Sequence, residues 1–297
     1  TRALEQQAST DSARVSLAER EFDASTLARR DEFNAGTFAK ALELLGSDSV
    51  IKRIGAVYAL EDLMRAAFAV DGDRTQIGRQ IGDTLAAYVR RRAIGREEIE
   101  EAAIETFPEI SSALTAIIRS WPPENRPQIF EDGGVDLRGA DLAGWEIPKG
   151  SNLSRIRFDG ARLTRFKAYR LEASDASFAN CDLSHSVFDF SQLADCDFTE
   201  ANFYNSRFLS TNIYDCMLND VNFTEAEFIS TKIHGADWGG AVLTNSMMFS
   251  GSITETDASW PPPISEEQVR SVEFSTSRPT SLPSRLAHLA KIKARET

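Results

Sequence analysis

The sequence has few of the residues on which metal centres and disulfide frameworks depend. Its 297 residues include only three cysteines and three histidines. An odd number of cysteines predicts no disulfide framework and favours a reducing compartment or simple packing in the core. So few nitrogen and sulfur ligands also predict no zinc site, and nothing in the sequence points to a cofactor.

Long hydrophobic runs and catalytic motifs are missing as well. No stretch approaches the roughly 18 consecutive apolar residues of a membrane span, and no charged start followed by an apolar run indicates a signal peptide. The sequence contains no phosphate-binding glycine-rich loop with its lysine, no dinucleotide-binding fingerprint and no nucleophile elbow. We therefore predict that the protein is not an enzyme.

Basic residues are outnumbered by acidic ones. The chain has 33 Lys and Arg against 45 Asp and Glu, for a net charge of −12. Direct binding to nucleic acid is not expected, because a phosphate backbone requires a positive field. The excess of acidic residues lies in residues 171–260. This segment contains 14 acidic residues and only two basic ones, Arg207 and Lys232, for a local net charge of 2 − 14 = −12.

A five-residue period runs from Leu153 to Ala258 without a break. The central residue of each unit is large and apolar in 19 of 22 units, and the residue two positions earlier is small in 19 of 22. Upstream, Leu137, Leu142 and Ile147 keep the period one residue out of phase, which predicts a single-residue insertion near Pro148. A period of five fits neither a helix nor a strand, but it suits a chain that turns a corner every five residues.

This pattern resembles that of the pentapeptide-repeat proteins over Val135–Ser259. It is carried by the units Ala140-Asp141-Leu142, Cys181-Asp182-Leu183, Cys196-Asp197-Phe198, Ala201-Asn202-Phe203 and Ala236-Asp237-Trp238. The resemblance implies a right-handed quadrilateral parallel β-helix with 20 residues per coil. About six coils would give a rod roughly 30 Å long at the usual ~4.8 Å strand spacing.

The 20-residue register places individual side chains in the rod. Cys181, Cys196 and Cys216 fall at the small inward position, where we expect them to be buried packing residues. In the coil that contains Phe166 and Ala168 the large and small positions are exchanged, and we expect a local distortion there.

The first half of the sequence carries helical signals. Two amphipathic runs, Thr37–Leu45 and Val50–Phe68, flank a polar turn, and later helices are predicted around Ile77–Val89, Glu97–Glu105 and from Ile110 onward. Residues 44–61 resemble a HEAT-type helical hairpin and the helical module found ahead of pentapeptide repeats in bacterial membrane-anchored proteins. That resemblance implies a membrane anchor outside this chain and a location in the cytoplasm or on the cytoplasmic face of the inner membrane.

The predicted fold class is therefore α plus β, an N-terminal α-helical module followed by a parallel β-helix. Three consecutive prolines after Trp260 are expected to end the rod, because proline cannot continue a hydrogen-bonded coil. The predicted segments are a helical linker (1–34), a HEAT-like module (35–122), a hinge (123–134), the β-helix (135–260), and a cap with a mobile basic tail (261–297).

Two groups of charged residues are candidate sites. In the 20-residue register, seven carboxylates stack into an acidic edge that is either a solvated surface or a binding surface for a cationic partner: Asp175, Asp195, Asp197, Asp215, Asp237, Glu255 and Asp257. Six basic residues form a collar in the preceding coil: Arg155, Arg157, Arg162, Arg165, Lys167 and Arg170. We expect this collar to hold the acidic helix at 97–105 against the first coil of the rod.

These features favour a non-enzymatic protein-binding scaffold, part of a bacterial membrane-anchored protein. The alternative is DNA mimicry, since some pentapeptide-repeat proteins resemble B-DNA in width and charge and bind DNA gyrase. The acidic stretch favours mimicry. The short rod, the large helical module and the basic collar count against it.

Overall fold

The helices of the first half follow the turn and apolar signals of the sequence. The computed structural model describes residues 25, 28–69, 74–93, 107–123, 135–237, 239–249, 252–254 and 273–274. Among these residues, helix α1 spans residues 28–45, α2 Val50–Phe68, α3 Arg74–Ala93 and α4 Pro108–Ser120. The predicted bounds of α2 are confirmed, whereas α1 begins before Thr37. The predicted acidic helix at 97–105 lies outside the described residues.

The chain divides into two compact units, the first ending at Leu63 and the second beginning at Met64. In the first unit, α1 and the start of α2 are joined by the predicted turn. The side chain of Arg53 is buried and its Nη1 donates a hydrogen bond to the carbonyl of Ser47 at 2.8 Å, which closes that turn.

In the second unit, Trp121 organises the packing of the helices. Its indole stacks on the ring of Phe68 at 6.1 Å and is completely buried at the end of α4. A side chain at Gly82 of α3 would overlap the indole, and one at Gly78 would meet the Phe68 ring. The two glycines therefore allow α3 to approach these aromatic rings closely.

From Val135 the chain winds as a parallel β-helix. Residues twenty apart pair in register, as Ile213 does with Leu193 on one side and Ile233 on the other. The described strands form three sheets: a two-stranded sheet at the start of the rod, and a five-stranded and a six-stranded sheet stacked along it. The strands are β1 (Val135–Asp136), β2 (Ile156–Arg157), β3 (Lys167–Tyr169), β4 (Glu172–Ser174), β5 (Val187–Asp189), β6 (Gln192–Ala194), β7 (Arg207–Leu209), β8 (Asn212–Tyr214), β9 (Glu227–Ile229), β10 (Lys232–His234), β11 (Met247–Phe249), β12 (Ser252–Thr254) and β13 (Glu273–Phe274). The predicted fold class is confirmed.

The single-residue insertion is visible in the pairing register. In the first coil the partners are 21 residues apart, as in Glu146 with Lys167, and from Asn152 with Glu172 onward they are 20 apart. The extra residue lies just before Gly150, which adopts a φ of +75° at the displaced corner. The predicted insertion near Pro148 is therefore confirmed.

Every corner of the repeat has a left-handed backbone. From Arg155 to Asn245, each fifth residue has a positive φ, and no corner residue is β-branched. For residues with a Cβ this conformation costs roughly 1–2 kcal/mol each. The cost is offset by hydrogen bonds between coils, such as the one that the corner N–H of Asn205 donates to the carbonyl of Thr224 at 2.9 Å.

Phenylalanine rings stack through the interior of the rod. Phe158, Phe178 and Phe198 form one stack with ring centroids 5.0 Å apart and planes inclined by 10°. Phe208 and Phe228 stack in the same way at 5.0 Å and 5°. All five side chains are at most 3% exposed, so the rod encloses a continuous apolar column.

The exchange of large and small residues in the coil of Phe166 leaves the backbone regular. Phe166 and Ala168 are both buried, and β3 keeps its register with β5. The Phe166 ring fills the interior by packing at 5.5 Å against both Trp145 and Phe188. The predicted distortion is wrong, because cores tolerate such exchanges when the total volume is kept.

A further strand follows after the last coil. β13 pairs in parallel with β11, matching Glu273 to Met247 and Phe274 to Met248. It is the last strand of the six-stranded sheet and lies within the segment predicted as a cap. The remainder of the predicted tail lies outside the described residues.

The stacked rings predict unequal effects of two matched substitutions. Phe208→Ala removes a buried ring and should lower the free energy of unfolding by about 3–5 kcal/mol. Phe190→Ala makes the same change at a corner where the ring is 41% exposed, and it should cost about 1 kcal/mol or less. Denaturant unfolding followed by circular dichroism measures both. Equal losses would contradict the apolar column.

Candidate protein-binding surfaces

The acidic edge predicted from the sequence is built on the corners of the rod. Asp175, Asp195 and Asp215 occupy equivalent left-handed corners of successive coils, with φ of 54°, 52° and 50°, and all three are exposed. Asp197 and Asp237 lie beside this corner, in a row where they pair with Met217 of the coil between them. The two remaining predicted members, Glu255 and Asp257, lie outside the described residues.

Two of these carboxylates also hold the turns of their own coils. Asp197 Oδ1 accepts a hydrogen bond from the N–H of Thr199 at 2.9 Å, and Asp237 Oδ1 accepts one from the N–H of Gly239 at 3.1 Å. Such Asx turns explain why the repeat favours Asp or Asn before the large residue. The same contact recurs on the next face in the pairs Asp182–Ser184, Asn202–Tyr204 and Asn222–Thr224.

Two acidic residues of the same surface were missed in the sequence analysis. Glu200 and Asp220 occupy the next corner, with φ of 59° and 56°, and border the face from its other side. Their spacing of twenty residues is visible in the sequence and would have placed them there. We call this surface the acidic face, and it comprises Asp175, Asp195, Asp197, Glu200, Asp215, Asp220 and Asp237.

The four repeat segments that form the acidic face contain no basic residue. Residues 175–180, 195–200, 215–220 and 235–240 contain seven carboxylates and neither Lys nor Arg. The side chain of Met217 lies among these carboxylates and is 43% exposed. Arg155 lies at the N-terminal end, with its Nε 3.8 Å from Asp175 Oδ2. The surface is therefore negative with one exposed apolar side chain near its centre.

Two glycines determine how the acidic side chains lie. The carboxylates of Asp215 and Asp220 occupy the positions that a Cβ would take at Gly235 and Gly240 of the next coil. Both glycines have a positive φ and form the next corners. Because glycine has no Cβ, the two carboxylates can extend along the rod at this point.

The basic collar is partly neutralised within the rod. Arg162 donates two hydrogen bonds to Asp141, at 3.0 and 2.5 Å, and Lys167 Nζ lies 3.4 Å from Glu146 Oε2. Both carboxylates belong to the preceding coil. The other four predicted members have different surroundings. Arg155 Nη1 lies 3.5 Å from the carbonyl oxygen of Pro123, and Arg170 lies over the Tyr169 ring. Arg165 occupies an exposed corner, and Arg157 is half-buried in β2.

The contact predicted between this collar and the acidic helix stays a prediction. The acidic segment at 97–105 lies outside the described residues. Arg155 of the collar contacts the end of the helical region, where its Nη1 lies 3.5 Å from the carbonyl oxygen of Pro123.

A different ion pair joins the helices of the second unit to the first coil. Arg90, in the last turn of α3, places its Nη1 2.6 Å from Asp136 Oδ2 at the start of the rod. Arg138 adds hydrogen bonds to the same carboxylate from its N–H, Nε and Nη2, at 3.1, 2.9 and 3.0 Å. The sequence analysis did not predict this junction.

The junction perturbs two carboxyl groups in opposite directions. Burial opposes ionisation of Asp136, but the hydrogen bonds from Arg138 and the charges of Arg90 and Arg138 outweigh it and hold the pKa below its usual value. Burial, together with the charge of Asp136, raises the pKa of Asp83 in α3. The first coil is thus attached to α3 by a partly buried network of charges.

The three cysteines are free and buried, as predicted. The Sγ of Cys181 lies 2.9 Å from the carbonyl oxygen of Phe158, and burial raises the pKa of this thiol to about 12. Contact with Cys216 and burial together raise the pKa of Cys196. Neutral, enclosed thiols of this kind serve packing rather than reaction.

Metal centres and membrane-spanning helices are not found among the residues that the structure describes. No three His, Cys, Asp or Glu side chains among them are grouped closely enough to hold a metal ion. None of the described helices combines the length and the apolar character that crossing a membrane requires.

The outward faces of the coils are flat rows of side chains that repeat at 20-residue intervals. This arrangement defines the fold of the rod as a four-sided parallel β-helix. Such rods act as scaffolds for contact with other proteins. A family model described as pentapeptide repeats (8 copies) matches residues 174–208. The chain therefore contains pentapeptide repeats, and a helical module lies ahead of them.

Several solved structures are similar to part of the chain. HetL, a pentapeptide-repeat protein involved in heterocyst differentiation regulation from Nostoc sp. strain PCC 7120, is 16% identical over 40% of this chain and 68% of its own, with a TM-score of 0.26. Full-length QnrB1, a plasmid-mediated fluoroquinolone resistance protein, is 17% identical over 51% and 84%, with a TM-score of 0.23. Rfr23 from Cyanothece 51142 is 14% identical over 45% and 67%, with a TM-score of 0.15. No curated protein sequence matches this chain significantly.

The junction predicts a pH-dependent effect of Asp136→Asn. Because the pKa of Asp136 is lower in the folded protein than its ordinary value of 3.8, ionised Asp136 stabilises the fold above that value. This contribution is lost as the pH falls through the folded pKa. We expect Asp136→Asn to lower the thermal unfolding midpoint at pH 7 and to differ less from the wild type below about pH 4.

Glu200→Gln provides the control, because it removes an exposed carboxylate far from the junction. It should leave the unfolding midpoint nearly unchanged at both pH values. A difference between Asp136→Asn and the wild type that is the same at pH 3 and pH 7 would contradict the assignment.

Proposed function

We propose that the protein is a non-enzymatic scaffold whose repeat rod binds a cationic surface of another protein through the acidic face. The proposal is carried by one observation: the acidic face has seven carboxylates, and its four repeat segments contain neither Lys nor Arg. A flat face of this kind suits contact with another protein better than it suits a small substrate, which requires a concave pocket.

The spacing of the carboxylates supports binding to positive charge. Corner residues of successive coils are separated by about 4.8 Å, well within the Debye length of about 8 Å at physiological salt, so they repel one another in the free protein. A cationic partner would relieve this repulsion and would be steered toward the face. Met217 would give the partner an apolar contact inside the charged surface, as in interfaces with a polar rim.

A photocrosslinker tests the proposal in cells. p-Benzoylphenylalanine in place of Met217 should form a crosslinked product with a partner protein, and the product should be lost in the triple variant Glu200→Gln, Asp215→Asn, Asp220→Asn. The matched control places the photocrosslinker at Val242, which is similarly exposed at 39% on the adjacent face. Equal crosslinking from both positions, or crosslinking that survives the triple variant, would contradict the role of the acidic face.

DNA mimicry is the second candidate function. The specific observation in its favour is that the carboxylates form two rows, with Asp195 and Asp215 at one corner and Glu200 and Asp220 at the next. Two parallel negative rows are the feature that a DNA-binding protein would recognise on a duplex. Inhibition of supercoiling by purified DNA gyrase, weakened by added salt and abolished by the triple variant, would favour this candidate over a general protein scaffold.

Membrane attachment and location stay predictions from the resemblance of the helical module. We propose that the scaffold belongs to a bacterial membrane-anchored protein and works in the cytoplasm or at the cytoplasmic face of the inner membrane. Fractionation of cells that express the full-length native gene product measures this. Recovery of the protein in the membrane pellet supports the anchor, and recovery in the soluble fraction contradicts it.

A further inference from the structure

The outward surface of the six-stranded sheet carries an apolar side chain on each of five successive strands. These side chains are half-buried or exposed: Tyr169, Val187, Leu209, Ile229 and Met247. The first outward row of the five-stranded sheet is polar instead, with Glu172, Gln192, Asn212 and Lys232. We call the outward surface of β3, β5, β7, β9 and β11 the apolar face. Contiguous apolar surface of this kind marks a site of contact.

The charged side chains of the apolar face are largely paired. Arg207 donates two hydrogen bonds to Asp189, at 3.2 and 2.6 Å, and Lys167 Nζ lies 3.4 Å from Glu146 Oε2 of the preceding coil. Glu227 of β9 belongs to neither pair and is half-buried. An occupant of this face therefore has to be apolar along its length and to offer a cation at β9.

The chain itself leads onto the apolar face. β13 is the last strand of the same sheet and pairs in parallel with β11. Residues 275–297 follow β13 directly and lie outside the described residues. A segment tethered at the edge of a surface has a high effective concentration there, which favours it over any free partner.

The sequence of this segment is typical of an amphipathic helix. Residues 284–296 contain neither Gly nor Pro and are rich in Ala, Leu, Lys and Arg, which are good helix formers. Four apolar residues follow the helical pattern i, i+4, i+7, i+10 and would share one side of the helix: Leu282, Leu286, Leu289 and Ile292.

The axial spacing of these four residues matches the spacing of the strands. Leu282 and Ile292 are ten residues apart, about 15 Å in an α-helix, so the apolar side chains recur about every 5 Å. Neighbouring strands of a sheet are ~4.8 Å apart. A helix that runs back along the rod from β13 can therefore place one apolar side chain over each of four strands: Leu282 over β11, Leu286 over β9, Leu289 over β7 and Ile292 over β5.

We propose that residues 282–296 form a helix that docks on the apolar face and runs from β13 toward β3. On a right-handed β-helix, a right-handed α-helix in this direction turns Leu286 toward the third residue of β9, Ile229. It turns the neighbouring Arg285 toward the first residue of β9, Glu227. The docked helix thus covers the apolar side chains and supplies the cation that Glu227 requires.

Disulfide formation between the segment and the face tests the proposal in the full chain. In a background with the three native cysteines replaced by Ala, Leu209→Cys and Leu289→Cys should crosslink within one chain under mild oxidation. The matched control combines Leu289→Cys with Val242→Cys, which is 39% exposed on another face, and should crosslink more slowly by about ten-fold or more. Equal rates for the two pairs would overturn the proposal. Crosslinked dimers as the main product would overturn it in favour of a second copy.

Substitutions on the two sides of the helix separate docking from mere tethering. Leu286→Glu should slow the 209–289 crosslink by about ten-fold, because it buries a charge against the apolar face. Ala287→Glu makes a comparable change on the opposite side and should leave the rate unchanged. Circular dichroism checks that both variants are folded. A rate that Leu286→Glu does not change would overturn the proposal.

Charge reversal tests the proposed register. Arg285→Glu should slow the same crosslink by about ten-fold, and Glu227→Arg in the same chain should restore it. A double variant that is no faster than Arg285→Glu alone would overturn the register. None of these substitutions touches the acidic face, so the result is independent of the proposed function.

Discussion

Stacking of residues twenty apart is the constraint on which the rest of the rod depends. A single unit of five residues cannot shield its large side chain from water, and only the equivalent residues of the coils before and after it do so. Stacking in turn requires a corner at every fifth residue, and the left-handed backbone provides it at a cost of roughly 1–2 kcal/mol for each residue with a Cβ. The Phe columns and the hydrogen bonds between coils offset that cost together, so the corners and the core are mutually dependent.

This constraint fixes the inward residues and leaves the outward rows free to differ. One face is acidic, another carries a ladder in which Asn202 donates to Asp182 and Asn222 donates to Asn202, and the first coils bear paired basic residues. Function in such a rod therefore lies in the outward side chains, not in the fold itself.

The features that follow from local periodicity could be predicted from the sequence. The five-residue period gave the β-helix and its insertion near Pro148, and the turn at 46–49 gave the bounds of α2. Glu200 and Asp220 obey the same 20-residue register, so their place on the acidic face could also be predicted from the sequence. The Arg90–Asp136 junction depends on how α3 meets the first coil, which no local pattern encodes. The pattern in α2 predicted a wide apolar face, but periodicity cannot tell that Ile51 and Tyr58 stay exposed while Leu60 is buried.

Pyrene excimer fluorescence measures the stacking most directly. In a background with the three native cysteines replaced by Ala, which occupies several equivalent inward positions, cysteines are introduced in pairs and labelled with pyrene maleimide. The side chains of Gln192 and Asn212 are neighbours on adjacent coils, where Asn212 Nδ2 donates a hydrogen bond to Gln192 Oε1 at 3.0 Å. Tyr204 is closer to Gln192 in the sequence but lies on another face of the rod. Labels at 192 and 212, twenty residues apart, should give strong excimer emission, and labels at 192 and 204, only twelve apart, should give none. Excimer emission that follows sequence distance instead, stronger for 192 and 204 than for 192 and 212, would contradict the stacked coil.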